Sequence, residues 1–364
     1  MKLMKLIPIL PILGVLLFSC SGEKTKPQNN TVVAERPAAQ LQLSGSSSMF
    51  KGSEVVELAL TVSKDISSIE DIKVFVNDTL FFSTNEKKEK YLVQYSDKTG
   101  ICGERRVKSV VRFNNGKEEV QSLSFTIGSD LNAENYTFNI IKEYPHDRDA
   151  YTQGLEFSGN DLFEGTGLNG HSQLRRVELS SGKVLQKIDL EDQYFGEGIT
   201  VLGDKIFQLT WQNKKGFIYN KKSLELEGEF TYDTQGWGIC NDGNFLIYSD
   251  GSNKLFFLDG TTYKLHHTIE VYDENGPVYQ LNELEYYKGE IWANVYTTNF
   301  LVCIDPQTGK VRSRADLGGI LKPEDAEGVD VLNGIAFDNK TGKLFVTGKK
   351  YPKIWQIELV KDNL

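Results

Sequence analysis

One acidic side chain in this sequence is set up for proton transfer. Glu197 stands between Gly196 and Gly198, which allow a reactant close approach, and Phe195 precedes it. Trp211 and Trp237 recur at a matching phase of the repeat described below. Such an apolar setting raises a carboxyl pKa toward the working pH, where one group can act as base and then as acid. Asn282 and Lys349 supply an amide N–H and an ammonium, both donors suited to holding a ligand oxygen, and the amide of Gln153 suits a ligand backbone. The alternative for Glu197 is a solvated loop carboxylate. A single aromatic residue in a β protein is more often core than ligand-facing, but a shared phase among several argues for a rim.

Those residues need a scaffold that brings distant segments together. From Leu41 onward, short runs of Val, Ile, Phe, Tyr and Leu alternate with polar residues and break at Asn-Gly, Asp-Gly and other Gly-rich turns, without helical periodicity, so an all-β protein is predicted. From Tyr136 a strand–turn–strand signature recurs: at 157–163, 201–207, 239–246, 286–292 and 337–345. Five copies spaced by about 40–50 residues predict a five-bladed β-propeller over 136–364. In a propeller the loops at one end of every blade converge on the central channel. The segments 146–155, 195–199 with 208–211, 235–238, 281–285 with 294–296, and 333–336 with 347–349 all fall at that phase.

The same segments, taken in order, resemble the signature stretches of the plant and bacterial glutaminyl-peptide cyclotransferases, from Tyr136 to about Glu358. The resemblance implies closure of a peptide's N-terminal glutamine to pyroglutamate with loss of ammonia. By it, Glu197 falls on the family's general acid/base position, and Asn282 and Lys349 on substrate-binding positions; the donors they offer the carboxamide oxygen mark Asn282 and Lys349 as catalytic residues alongside Glu197. Tyr151, Gln153, Phe195, Trp211, Trp237 and Tyr296 fall on substrate-binding positions, Tyr296 standing where the family commonly has tryptophan. Strand alternation puts Glu283 and Glu285 on the face opposite Asn282, which marks them as structural acceptors. His146 and Asp147 read equally as a buried pair that closes the blades. Gly165-Thr166-Gly167-Leu168-Asn169-Gly170 fits a dinucleotide fingerprint, but an alternating strand follows it instead of a helix, so a glycine-rich hairpin is expected.

Lys2 and Lys5, an apolar run over 6–18 and Ser19-Cys20 form a bacterial lipoprotein signal (1–20), with lipid attachment expected at Cys20. A polar, Pro- and Asn-containing tether (21–40) follows. An immunoglobulin-like β-sandwich is expected over 41–130, with strands near 54–62, 72–76, 90–95, 107–113 and 120–127. Cys102, Cys240 and Cys303 are widely separated and odd in number, which argues against a disulfide framework or zinc ribbon. The four histidines include the adjacent pair His266-His267, whose rings a regular strand sends to opposite faces, so neither metal nor cofactor is expected. A net charge of −9 disfavours nucleic acid. The expected partners are a peptide or protein with N-terminal glutamine and, through the lipid, a membrane of the bacterial cell envelope, the protein acting as a monomer. The rival reading is a non-catalytic propeller lipoprotein that binds a peptide or glycan. A lone carboxylate facing donors speaks for the enzyme.

Overall fold

The computed structural model describes residues 37–63 and 65–362. The signal, Cys20 and most of the tether lie outside them. The first strand, Ala39–Leu43, opens two residues ahead of the domain start read from composition. Among the described residues there is no α-helix, only two short 3-10 turns.

The N-terminal part consists of two sheets. Ala39–Leu43, Val55–Val62 and Lys90–Ser96 form one; Met49–Lys51, Glu118–Gly128, Gly103–Phe113, Ile69–Val76 and Thr79–Thr84 form the other. The alternation in Val55–Val62 and Ile69–Val76 sends Val56, Leu58, Leu60, Ile72 and Val74 into one shared core. The short strand Met49–Lys51 and the hairpin strand Thr79–Thr84 have no counterpart in the sequence-based list. These sheets meet the propeller at the outer side of its fourth blade, where Cys102 N–H donates to Thr308 O at 2.8 Å and Lys310 pairs with Asp130 at 2.7 Å.

The propeller has five blades. The first three are four-stranded sheets over 152–189, 196–231 and 239–270, and the fourth spans 281–316. The fifth is completed by the segment that precedes the first: Glu134–Pro145 pairs antiparallel with Lys353–Lys361, outside Lys343–Gly348 and Leu332–Asp338. The same strand also pairs in parallel with Val311–Asp316, which joins blades four and five into one eight-stranded sheet. Each inner strand packs on the next, and the fifth on the first.

Side chains reinforce that closure. His146 takes the backbone oxygen of Tyr351 at 2.7 Å and the carboxylate of Glu164 at 2.9 Å, while Asp147 pairs with Arg175 at 2.8 Å. Burial works to lower the His146 pKa, but the Glu164 carboxylate outweighs it and raises that pKa, favouring the charged imidazole. Glu283 accepts the N–H groups of Leu155 at 3.2 Å and Ile335 at 2.8 Å, and Glu285 that of Phe337 at 3.0 Å, tying blade four to blades one and five. Both glutamates therefore have the structural role expected of them. Adjacent inner strands come so near that only glycine fits: a Cβ on Gly238 would lie 2.0 Å from Asn282 O.

The expectation for His266 and His267 needs correction. Phe257 pairs with His267 and Leu258 with Leu265, so the strand bulges at His266 and the two rings meet, Nδ1 to Nδ1, at 2.8 Å. Cys102, Cys240 and Cys303 are each buried and unbridged.

Candidate active site

Every inner strand but the third slips register at its channel end. In blade two Gly196 pairs with Thr210 and Ile199 with Gln208, leaving Glu197 and Gly198 opposite Leu209 alone. The same two-against-one arrangement places Asn282 and Glu283 opposite Asn294, and Asn333 and Gly334 opposite Thr347. In blade one the slip is a single residue, Gln153. A bulge frees its residue from strict alternation and re-aims the side chain. Gln153, Glu197, Asn282 and Asn333 thus occupy one structural position repeated around the axis.

All nine side chains singled out in the sequence line a single cavity of about 230 Å³. Blade one contributes Tyr151 and Gln153; blade two Phe195, Glu197 and Trp211; blade three Trp237; blade four Asn282 and Tyr296; blade five Lys349. Of the larger hollows, those of about 440 and 510 Å³ each draw on two neighbouring blades, whereas one of about 250 Å³ lies at the other ends of the inner strands and is lined by all five blades, among them Glu156, Thr200, Cys240, Glu285 and Asn339.

The aromatic residues make a closed belt. Tyr151 meets Phe195 edge-on at 6.2 Å, Phe195 meets Trp211 at 5.7 Å, and Trp237 meets Tyr296 at 5.5 Å. Gln235 Oε1 bridges the two tryptophans, accepting Trp211 Nε1–H at 2.5 Å and Trp237 Nε1–H at 3.2 Å. The Lys349 ammonium closes the ring, 4.9 Å from the centroids of both Tyr151 and Tyr296. Gly167 makes room for Phe195, since a Cβ there would sit 2.3 Å from its ring; the glycine-rich hairpin therefore shapes the pocket wall.

Inside the belt Gln153 Oε1 accepts Asn333 Nδ2–H at 3.3 Å, whereas other polar groups lack hydrogen-bond partners in the described protein. Glu197, 5% exposed, makes no hydrogen bond or ion pair among the described residues. Burial pushes its carboxyl well above the ordinary range, opposed in part by the Lys349 charge. Burial also pulls the Lys349 ammonium below its usual value, with Glu197 and Asp330 opposing. Asn282 is 3% exposed and its Oδ1 has no partner. Buried polar groups are nearly always satisfied, so a carboxyl, an ammonium and an amide left open in one cup await a polar ligand.

Two residues of the site received no role from sequence. Gln235 sits at the rim phase, but nothing in the chain signals that it joins two indoles. Asp330 accepts the Tyr151 hydroxyl at 2.6 Å from a loop after the outer strand of blade four, where the repeat offers no cue.

The sequence matches the glutamine cyclotransferase family over residues 114–359. The chain belongs to this family. It is 42% identical over 238 residues to the glutaminyl-peptide cyclotransferase of Arabidopsis thaliana, spanning 63% of this chain and 73% of that protein. The crystal structure of Myxococcus xanthus glutaminyl cyclase superposes with a TM-score of 0.60 at 33% identity, over 64% of this chain and 100% of that one. Most of the two N-terminal sheets falls outside the family match, whereas every residue of the pocket falls within it.

Proposed function

We propose that this protein is a glutaminyl-peptide cyclotransferase in which Glu197 moves the proton. The supporting observation is one buried carboxyl without a protein partner, in the same cup as an amide and an ammonium and enclosed by aromatic rings. In the reaction the α-amine nitrogen of N-terminal glutamine attacks its own γ-carboxamide carbon, and the bond from that carbon to the amide nitrogen breaks. Nucleophile and electrophile belong to one residue, so the belt's task is to hold it folded. Glu197 accepts the proton that the amine loses and delivers it to the departing nitrogen, which leaves as ammonia. Asn282 Nδ2 and Lys349 Nζ donate to the carboxamide oxygen as charge builds on it. Gln153 holds the substrate backbone, and Tyr151, Phe195, Trp211, Trp237 and Tyr296 pack around the side chain.

The test is ammonia release from a dipeptide beginning with glutamine, compared between wild type and Glu197→Gln. If the wild type binds the dipeptide yet releases no ammonia across neutral pH, the protein is a binding module and the proposal fails.

We also propose a lipid-anchored envelope protein, monomeric, with the two N-terminal sheets as an immunoglobulin-like spacer between Cys20 and the propeller. Lys2, Lys5, the apolar run 6–18 and Cys20 support this. No helix among the described residues is long and apolar enough to cross a membrane. Labelling with a radioactive fatty acid should mark the wild type and not Cys20→Ala; equal labelling of both would end this part of the reading.

A further inference from the structure

We propose that Gln235 is a positioning residue whose single carboxamide oxygen fixes both tryptophan walls of the pocket. Trp211 directly follows the second strand of blade two, Lys205–Thr210, and Trp237 stands two residues ahead of the inner strand of blade three, Ile239–Asn241. They reach one oxygen from different blades, at 2.5 and 3.2 Å. An indole donates one hydrogen bond and accepts none, so the atom between two indoles must be the oxygen, which settles the amide's orientation. Gly236 N–H donates to Trp211 O at 3.0 Å and anchors the backbone of this loop to the same tryptophan.

Packing holds the two rings unequally: Trp237 lies edge-on to Tyr296 and against Gly251, where a Cβ would fall 2.6 Å from its indole, while Trp211 rests edge-on against Phe195 at the exposed rim. Trp211 is 36% exposed, and between it and Trp237 the belt has no ring contact, only this oxygen. Without an acceptor there, each indole regains rotamer freedom, and the cup no longer holds a reactant in one bent conformation. Gln235 moves no proton and forms no bond to the reacting atoms in this scheme.

The catalytic part of the inference rests on the cyclotransferase reading; the geometric part does not. The experiment therefore uses the full chain and two readouts, kcat and KM for ammonia release from a glutamine-initiated dipeptide, and tryptophan emission with acrylamide quenching. Gln235→Met keeps the length and removes the acceptor; Gln235→Glu retains an oxygen. For Met at an unchanged melting temperature we expect about a tenfold fall in kcat/KM, with kcat itself reduced, together with red-shifted and more quenchable emission. A wall that merely bound the ligand would raise KM alone. Glu should restore both readouts to within about twofold of wild type. A folded Met variant with wild-type kinetics and emission overturns the proposal, as does failure of Glu to restore either readout. Should the wild type release no ammonia while Met still shifts the emission, the clamp stands and the cyclotransferase reading falls.

Discussion

Glu197 and Lys349 share one pocket at 5% and 3% exposure without closing a salt bridge. Each opposes the effect of burial on the other's pKa. Their separation leaves the space in which a glutaminyl residue is proposed to bend back on itself.

Replacing Glu197 by Gln should cut ammonia release by about 10²–10⁴-fold, the range for loss of a general acid/base. It should also stabilise the protein in a definite pH window. Below the ordinary carboxylate pKa the group is neutral in folded and unfolded chains alike. As pH rises above that value the unfolded chain ionises first, and the folded state loses stability until its own raised pKa is passed. The variant should therefore match wild type at about pH 4 and melt higher at neutral pH, by about 2–4 °C for every kcal/mol recovered. Thermal scans across pH decide this, and a variant less stable than wild type at neutral pH would contradict it.

The pH dependence of kcat should rise from the acid side through a value above the usual carboxylate range, as Glu197 becomes able to accept a proton. It should fall on the alkaline side earlier than an ordinary lysine would allow, as Lys349 loses its charge. Asp330 supports that charge, so Asp330→Asn should move the alkaline limb to lower pH and leave the acid limb in place. Profiles of kcat, measured at saturating substrate, are the check.

Removing the Asn282 donor should cost about 10²–10³-fold in kcat for Asn282→Ala, as loss of one donor to a developing oxyanion does elsewhere. A rise in KM with unchanged kcat would instead make Asn282 a simple binding group.

Gly238→Ala places a Cβ 2.0 Å from Asn282 O and 2.7 Å from the Glu283 Cα, all backbone of the next inner strand. We expect a destabilisation of about 3 kcal/mol or more, with activity lost at the same time because the displaced strand carries Asn282. Chemical denaturation of the variant against wild type measures the first effect.

Much of this architecture is written in local pattern. The five strand–turn–strand copies, from 157–163 to 337–345, mark the blades because alternation and turn chemistry are properties of a few adjacent residues. The shared phase of Phe195, Trp237, Asn282 and Lys349 points to one rim for the same reason.

Other features depend on contacts that no short window contains. Glu134–Pro145 precedes the first copy of the repeat, yet it completes the last blade by pairing with Lys353–Lys361, a partner reached only once the ring has closed. Alternation separates Asn282 from Glu283, but the bulge that aims Asn282 into the cup arises where inner strands crowd the axis. His266 and His267 meet against the same alternation, through a bulge of their own. The kinship of Gln235 with two indoles, and of Asp330 with Tyr151, is likewise set by which loops converge. Sequence by itself determined the strands, the turns and the chemical types at the rim, since these follow from local preference. Only the tertiary structure decided which edges pair, where register slips and which polar groups are left without partners, because those outcomes depend on all five blades packing at once.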